Sequence, residues 1–335
     1  MHPHGRPLHR RDFLRTTATG LALLPYVGLG RFVPNGAPRK ARIALVRTSD
    51  RKAGVTQALK LLDLTAVNGK RVVVKPNFNT ADPTPGSTHN DTLGQLVREL
   101  QERGARSITL GESSGPPDTH QVMEKKGTFD LASDLGFDVV NYDDIPDGDW
   151  VQFGPSGTHW PDGFWLPRHV VDAEYNVSTC CLKTHAYGGV FTMSMKLSVG
   201  LTPERIRRGM HRSPDMRRMI AELNTGYRPQ LIVLDGVDAF TDGGPSRGEL
   251  KHGNVILAGD DRVAIDATGL AVLKELGAND AIMGRKIFEQ EQMARAVELG
   301  LGVTGPDQIE FITPDAESRA YADRLAAILA SEGAE

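Results

Sequence analysis

Cysteine is almost missing from this chain: of 335 residues only Cys180 and Cys181 are cysteines, side by side. Neighbouring cysteines close only a strained ring, which excludes disulfide stapling as a source of stability. Two thiols also fall short of the roughly four that an iron–sulfur cluster needs, so no such cluster is held by this chain alone. Both read as small apolar residues inside a strand. A long hydrophobic run is missing too. The stretch 16–30 is broken by Gly20 and Pro25 and is too short for a membrane span of about 20 apolar residues. Charge of one sign is not in excess: 39 Lys and Arg stand against 42 Asp and Glu, a net −3, which gives no basis for a general nucleic-acid role. No two histidines sit at dedicated zinc spacing, and there is no repeat or low-complexity tract.

What the N-terminus does have is Arg10-Arg11 in the run His9-Arg10-Arg11-Asp12-Phe13-Leu14-Arg15, followed by the modest apolar stretch. This is the pattern of a twin-arginine export signal; the alternative is an ordinary basic tail. Residues 32–40, rich in Pro, Gly and basic side chains, read as a linker. The expected partner is the twin-arginine translocation machinery. The expected destination is the periplasm or another exported location, with the signal either removed or kept as a tether. No cysteine near the apolar stretch offers a lipid-anchor site.

From residue 41 onward, short apolar runs alternate with amphipathic segments. Strands are predicted at 42–47, 71–75, 107–110, 137–140, 174–182, 230–234, 254–258 and 309–312. Helices are predicted at 54–64, 91–103, 190–199, 263–276, 284–299 and 317–330. The run RVVVK at 71–75 is apolar without alternation, as in a parallel strand buried on both faces. The order implies an α/β fold, a mostly parallel doubly wound sheet flanked by helices. Residues 143–169, with Trp150, Trp160 and Trp165, read as an irregular aromatic-rich insertion or as short antiparallel strands. Residues 41–335 make either a single domain or two intimate halves, 41–142 and 170–335.

Open α/β sheets bind ligands beyond the carboxyl ends of their strands, so polar residues there are the candidates. Lys75-Pro76-Asn77 follows RVVVK: a lysine closing a buried strand needs a partner or an opening, and Asn77 can orient a ligand carbonyl; a rim salt bridge explains it equally. In Gly111-Glu112-Ser113-Ser114-Gly115 the serines and amides can bind an anion, and Glu112 can act as base or metal ligand; a tight turn is the alternative. Lys183-Thr184-His185, with Lys196 further on, brings ammonium groups near an imidazole. That suppresses protonation of His185 and gives a base near neutrality, or else an anion clamp. Asp235 and Asp266 are candidates to pair with the lysines or, with Glu112 and His185, to ligate a divalent metal. One of Asp260 and Asp261 is expected to cap the helix beginning near Arg262. The crowd Arg205, Arg207, Arg208, Arg212, Arg217 and Arg218 reads as a mobile cover over an anion or as a solvated helix face.

Together, VVVKPNFN at 72–79, the GESSG turn, CLKTH at 181–185, MKLSVGL at 195–201 and the glycine- and aspartate-rich 234–267 resemble the family known as domain of unknown function 362. Members often carry a twin-arginine signal; others append a ferredoxin-like cluster module, for which this chain lacks the cysteines. A typical member has Lys-Asn where this chain has Lys196-Leu197. The resemblance implies no established reaction.

The residues themselves support an exported enzyme working by acid–base chemistry on a small anionic substrate, with metal assistance an option. Lys183, His185 and Glu112 are the catalytic candidates; Lys75, Asn77, Ser113, Ser114 and Lys196 are the substrate-binding ones. The alternative is a periplasmic ligand-binding or cofactor-maturation protein without turnover. The oligomeric state is left open.

Overall fold

A computed structural model describes residues 40–331. The twin-arginine run and most of the linker lie outside the described residues. Among the described residues there are twelve strands: β1 (Ala41–Arg47), β2 (Arg71–Lys75), β3 (Ser107–Glu112), β4 (Asp138–Asn141), β5 (Trp150–Phe153), β6 (Phe164–Pro167), β7 (Tyr175–His185), β8 (Val190–Thr192), β9 (Leu231–Gly243), β10 (Gly248–His252), β11 (Val255–Gly259) and β12 (Ile309–Ile312). Ten of them form one sheet in the order β12-β1-β11-β9-β7-β2-β3-β4, with β10 added on β9 and β8 on β7. The sheet is mostly parallel and flanked by helices, the α/β architecture expected.

Along the main run of eight strands β11 is the exception, antiparallel to both β1 and β9; the appended β8 and β10 are antiparallel as well. The cause is the absence of a helix between β9 and β11. The chain leaves the long β9, returns along its far half as β10, then along its near half as β11. So short a return can only be antiparallel.

Period-two alternation decides which side chains each face buries. Ile43, Leu45, Ile232, Leu234, Val255 and Leu257 pack against helices Arg262–Glu275 and Ala316–Ser331. Their neighbours Ala44, Val46, Leu231, Val233, Ile256 and Ala258 pack on the other face, against helices Arg51–Lys60 and Asn90–Glu102. All eleven residues of β7 are buried, as befits the strand between β9 and β2. Asp261 caps the helix after β11, accepting from Ala264 N at 2.9 Å.

Residues 143–169 are not wholly irregular. β5 and β6 pair antiparallel in a separate two-stranded sheet. Trp150, Phe153, Trp160 and Phe164 join Met210, Met219 and Ile220 in a third core, so the insertion buttresses helices Glu204–Arg212 and Met216–Leu223. The helix expected at 190–199 is instead β8, which folds back on the end of β7, followed by the 3-10 turn Met195–Leu201. Gly188 and Gly189 permit the hairpin that a helix reading overlooks. The helix expected at 284–299 is shortened to Glu291–Glu298, preceded by the 3-10 turn Ile287–Glu289. Among the described residues no helix is long and apolar enough to cross a membrane.

Candidate active site: a cationic cavity at the strand ends

β7, β2 and β3 are parallel neighbours, so their carboxyl ends must meet at one edge of the sheet. Lys75 closes β2, Glu112 closes β3, and Lys183 and His185 close β7, two apart and therefore on one face. All four line a cavity of about 840 Å³. The 3-10 turn Met195–Leu201 brings in Lys196, and helix Glu204–Arg212 covers the opposite side with Arg207, Arg208, His211 and Arg212.

On one side the charges are internally matched. Lys75 Nζ donates to Glu112 Oε1 at 2.5 Å and to Pro76 O at 2.6 Å. The carboxylate accepts further from Phe78 N at 2.8 Å and Ser113 N at 2.9 Å. Burial pushes the Lys75 ammonium down and the Glu112 carboxyl up, and each is opposed by the charge of the other. Gly200 sits against this pair: a Cβ there would stand 2.5 Å from Glu112 Oε1 and 2.9 Å from Lys75 Nζ, so only glycine fits without displacing it.

On the other side they are not. Lys183 is fully buried and donates to Gly86 O at 2.6 Å; Lys196 is buried as well, and among the described residues neither makes an ion pair. Both ammonium groups are lowered to about 8, by burial in each case and, for Lys196, by the charge of Lys183 as well. His185 is pushed down to about 2, first by burial and then by Lys196 and Lys183, so its imidazole is neutral near pH 7. Its Nδ1 is buried without a hydrogen-bond partner, as are Asn77 Oδ1, Thr192 Oγ1 and Arg207 Nε, all belonging to residues that line the cavity.

Arg207 ties the covering helix to the GESSG turn. Its guanidinium donates to the Ser113 and Ser114 carbonyls and the Ser113 hydroxyl, and pairs with Asp143 Oδ1 at 3.3 Å. The arginine crowd is thus neither wholly a cover nor wholly a solvated face: Arg207 is buried, Arg208 and Arg212 stand at the rim, and Arg217 and Arg218 pair with Glu291 and Asp215.

Several expected roles are corrected. Asp235 points to the face of β9 that also carries Leu231 and Val233, where Arg51 Nε at 2.8 Å and Thr92 Oγ1 at 2.6 Å hold it away from the cavity. Asp266 is buried in its helix and accepts from Ser194 N at 2.7 Å and Met195 N at 3.1 Å. Burial raises its carboxyl to about 7, and its work is to anchor the turn that carries Lys196. Glu112, His185, Asp235 and Asp266 therefore do not gather as a metal set. Among the described residues no three His, Cys, Asp or Glu side chains could hold a metal ion together. Ser114 is drawn inward, donating to Phe78 O at 2.7 Å, and does not line the cavity. Ser113 does, with its hydroxyl shared between Asp143 and Arg207. Tyr187 and Thr192 line the cavity without having been singled out from the sequence, Asn79 entered only as the last residue of VVVKPNFN, and His211 only as part of the arginine-rich stretch.

The fold and site thus define an α/β protein with a cation-lined cavity beyond the carboxyl ends of its parallel strands. Residues 72–271 match the family described as Domain of unknown function (DUF362), and the chain belongs to that family. It is 26% identical over 206 residues to the Thylakoid-associated protein sll1697 of Synechocystis sp., an alignment covering 59% of this chain and 61% of that relative. The chain therefore spans under two thirds of the relative's length. Among solved structures it is similar to the lactate racemase apoprotein from Thermoanaerobacterium thermosaccharolyticum, at 13% identity and a TM-score of 0.44, covering 84% of this chain and 85% of that one.

Proposed function

We propose that this protein is an enzyme that binds a small anionic substrate in the strand-end cavity and moves a proton on it through His185. One observation carries the reading: two buried ammonium groups, Lys183 and Lys196, face the cavity without a carboxylate partner and beside a neutral imidazole. An unpaired buried charge is costly, and an anion delivered by the solvent removes that cost. Once bound, the anion lies against a base whose proton affinity it raises in part, because the negative charge opposes the two lysines while burial continues to lower it. Lys183 and Lys196 bind and polarise the substrate. Glu112, engaged by Lys75 and two backbone amides, serves as counter-ion rather than as base.

The test uses the full chain with panels of carboxylates and phosphate esters. Thermal shift reports binding, and proton NMR in D2O reports exchange or conversion. His185→Gln is expected to keep anion binding and lose exchange. Anion binding with no exchange or conversion for any compound would move the protein to a ligand carrier.

We also propose export through the twin-arginine pathway, on the strength of the His9–Arg15 run. A relative described as thylakoid-associated agrees with a membrane-proximal destination. The double change Arg10→Lys, Arg11→Lys is expected to leave the folded protein in the cytoplasm; normal export of that variant would refute the signal.

A further inference from the structure

We propose that the cavity's ligand carries a doubly charged anionic head of the phosphate-monoester kind, seated on Lys183 and Lys196, and a hydroxyl-bearing body. This rests on the anion-binding reading above and narrows it to a substrate class.

The head follows from charge counting within the buried part of the cavity. Lys75 is neutralised by Glu112, and Arg207 is engaged by Asp143, the Ser113 hydroxyl and two carbonyls. Two cations remain without an ion pair, Lys183 and Lys196, close enough that the charge of one depresses the other, and the carboxylate of Asp82 acts on Lys183 only from beyond hydrogen-bond reach. A monocarboxylate matches one of them and leaves the second buried and unpaired, whereas a dianion matches both. A phosphate monoester is mostly dianionic at pH 7, since its second pKa is about 6, and it offers three terminal oxygens for ammonium donors.

The body follows from the polar atoms left over. Asn77 Oδ1 accepts hydrogen bonds only, Thr192 Oγ1 both donates and accepts, and His185 Nδ1 accepts when the other nitrogen carries the proton. All three are buried without partners and belong to residues of the same cavity. A hydrocarbon body would leave them orphaned; hydroxyl groups satisfy them. The cavity, at about 840 Å³, is far larger than a phosphate ion and has room for such a body.

The experiment is calorimetric titration of the full chain at pH 7 with three probes. Glycerol 3-phosphate has both features, propyl phosphate has the head without hydroxyls, and glycerate has hydroxyls with a single charge. Glycerol 3-phosphate is expected to bind on the order of 100-fold more tightly than glycerate and about tenfold more tightly than propyl phosphate. Lys196→Met is expected to bring the first ratio below about tenfold, because one ammonium no longer distinguishes one charge from two. Both probes are measured on the same variant sample, so loss of folded protein cancels from the ratio. Glycerate binding as tightly as glycerol 3-phosphate, or a ratio untouched by Lys196→Met, overturns the dianion head. Equal affinity for propyl phosphate and glycerol 3-phosphate overturns the hydroxyl body. Either result leaves general anion binding standing, whereas no binding of any probe or of inorganic phosphate removes the anion-binding reading itself.

Discussion

Two buried lysine sites share one cavity and treat charge in opposite ways. At Lys75 the protein supplies its own counter-ion, Glu112, and fixes that carboxylate with two backbone amides. At Lys183 and Lys196 it supplies a carbonyl for one lysine and no carboxylate for either. The first arrangement belongs to the folded state and loses its balance when one partner goes. The second has no counter-ion among the described residues. The same residue type, at the ends of β2 and β7 and on the turn after β8, is thus paired internally at one place and left without an ion pair at the other, and on the reading proposed above this separates scaffold from receptor.

The sharpest way to break this comparison is Glu112→Ala. It strands the Lys75 charge in the interior and is expected to cost about 3–5 kcal/mol of unfolding free energy, measured by chemical denaturation. Lys183→Met should cost less: it removes an unpaired buried charge but leaves Gly86 O without its donor, so stability is expected to fall by no more than about 1–2 kcal/mol, while anion binding is lost. Destabilisation by Lys183→Met as large as that of Glu112→Ala would mean that both lysines are scaffold.

pH separates the two sides next. Lys183 and Lys196 are lowered to about 8 by burial, so both are charged well below pH 8 and neutral well above it. Anion affinity is therefore expected to be full near pH 7 and to fall about tenfold per pH unit above roughly 8.5, read by titration across pH 7 to 10. The sign for folding is the reverse. Between about pH 8 and the ordinary lysine value of 10.5 the unfolded chain binds more protons, so these two lysines favour the folded state increasingly as pH rises. An affinity that is flat from pH 7 to 10 would place the anion elsewhere.

The smallest effect is expected at the rim. Arg208 pairs with Glu204 at 3.0 Å in the open, where such pairs contribute about 0–1 kcal/mol. Arg208→Ala should move stability by less than about 0.5 kcal/mol and weaken anion affinity a few-fold, with a shallower dependence on salt.

The floor of the cavity was legible because strand-end chemistry is local. Lys75, Lys183 and His185 directly follow apolar runs, and parallel neighbours must bring such ends together. The walls were not legible, because their geometry is set by distant partners. Asp235 closes an equally apolar run, yet Arg51 and Thr92, from helices far earlier in the chain, claim it on the opposite face. Arg207 could not be told from its arginine neighbours, since the carbonyls it binds lie more than 90 residues upstream. The parallel sheet was readable from the alternation of strands and helices. The antiparallel β11 and the β7–β8 hairpin escaped because each needs only a short return, and short returns leave little periodicity to read.

The aromatic hairpin has one more consequence. Helix Glu204–Arg212 is held from behind by Met210 among Trp and Phe side chains, and from below by Arg207, while Arg208, His211 and Arg212 project toward the ligand space. Anchoring and contact with the cavity are therefore written on different letters of the same short word. On the anion-binding reading proposed above, exchanging Arg208, His211 or Arg212 is expected to shift ligand preference without rewriting the letters that keep the helix in place, which makes this helix the natural place to graft a new specificity onto the same sheet.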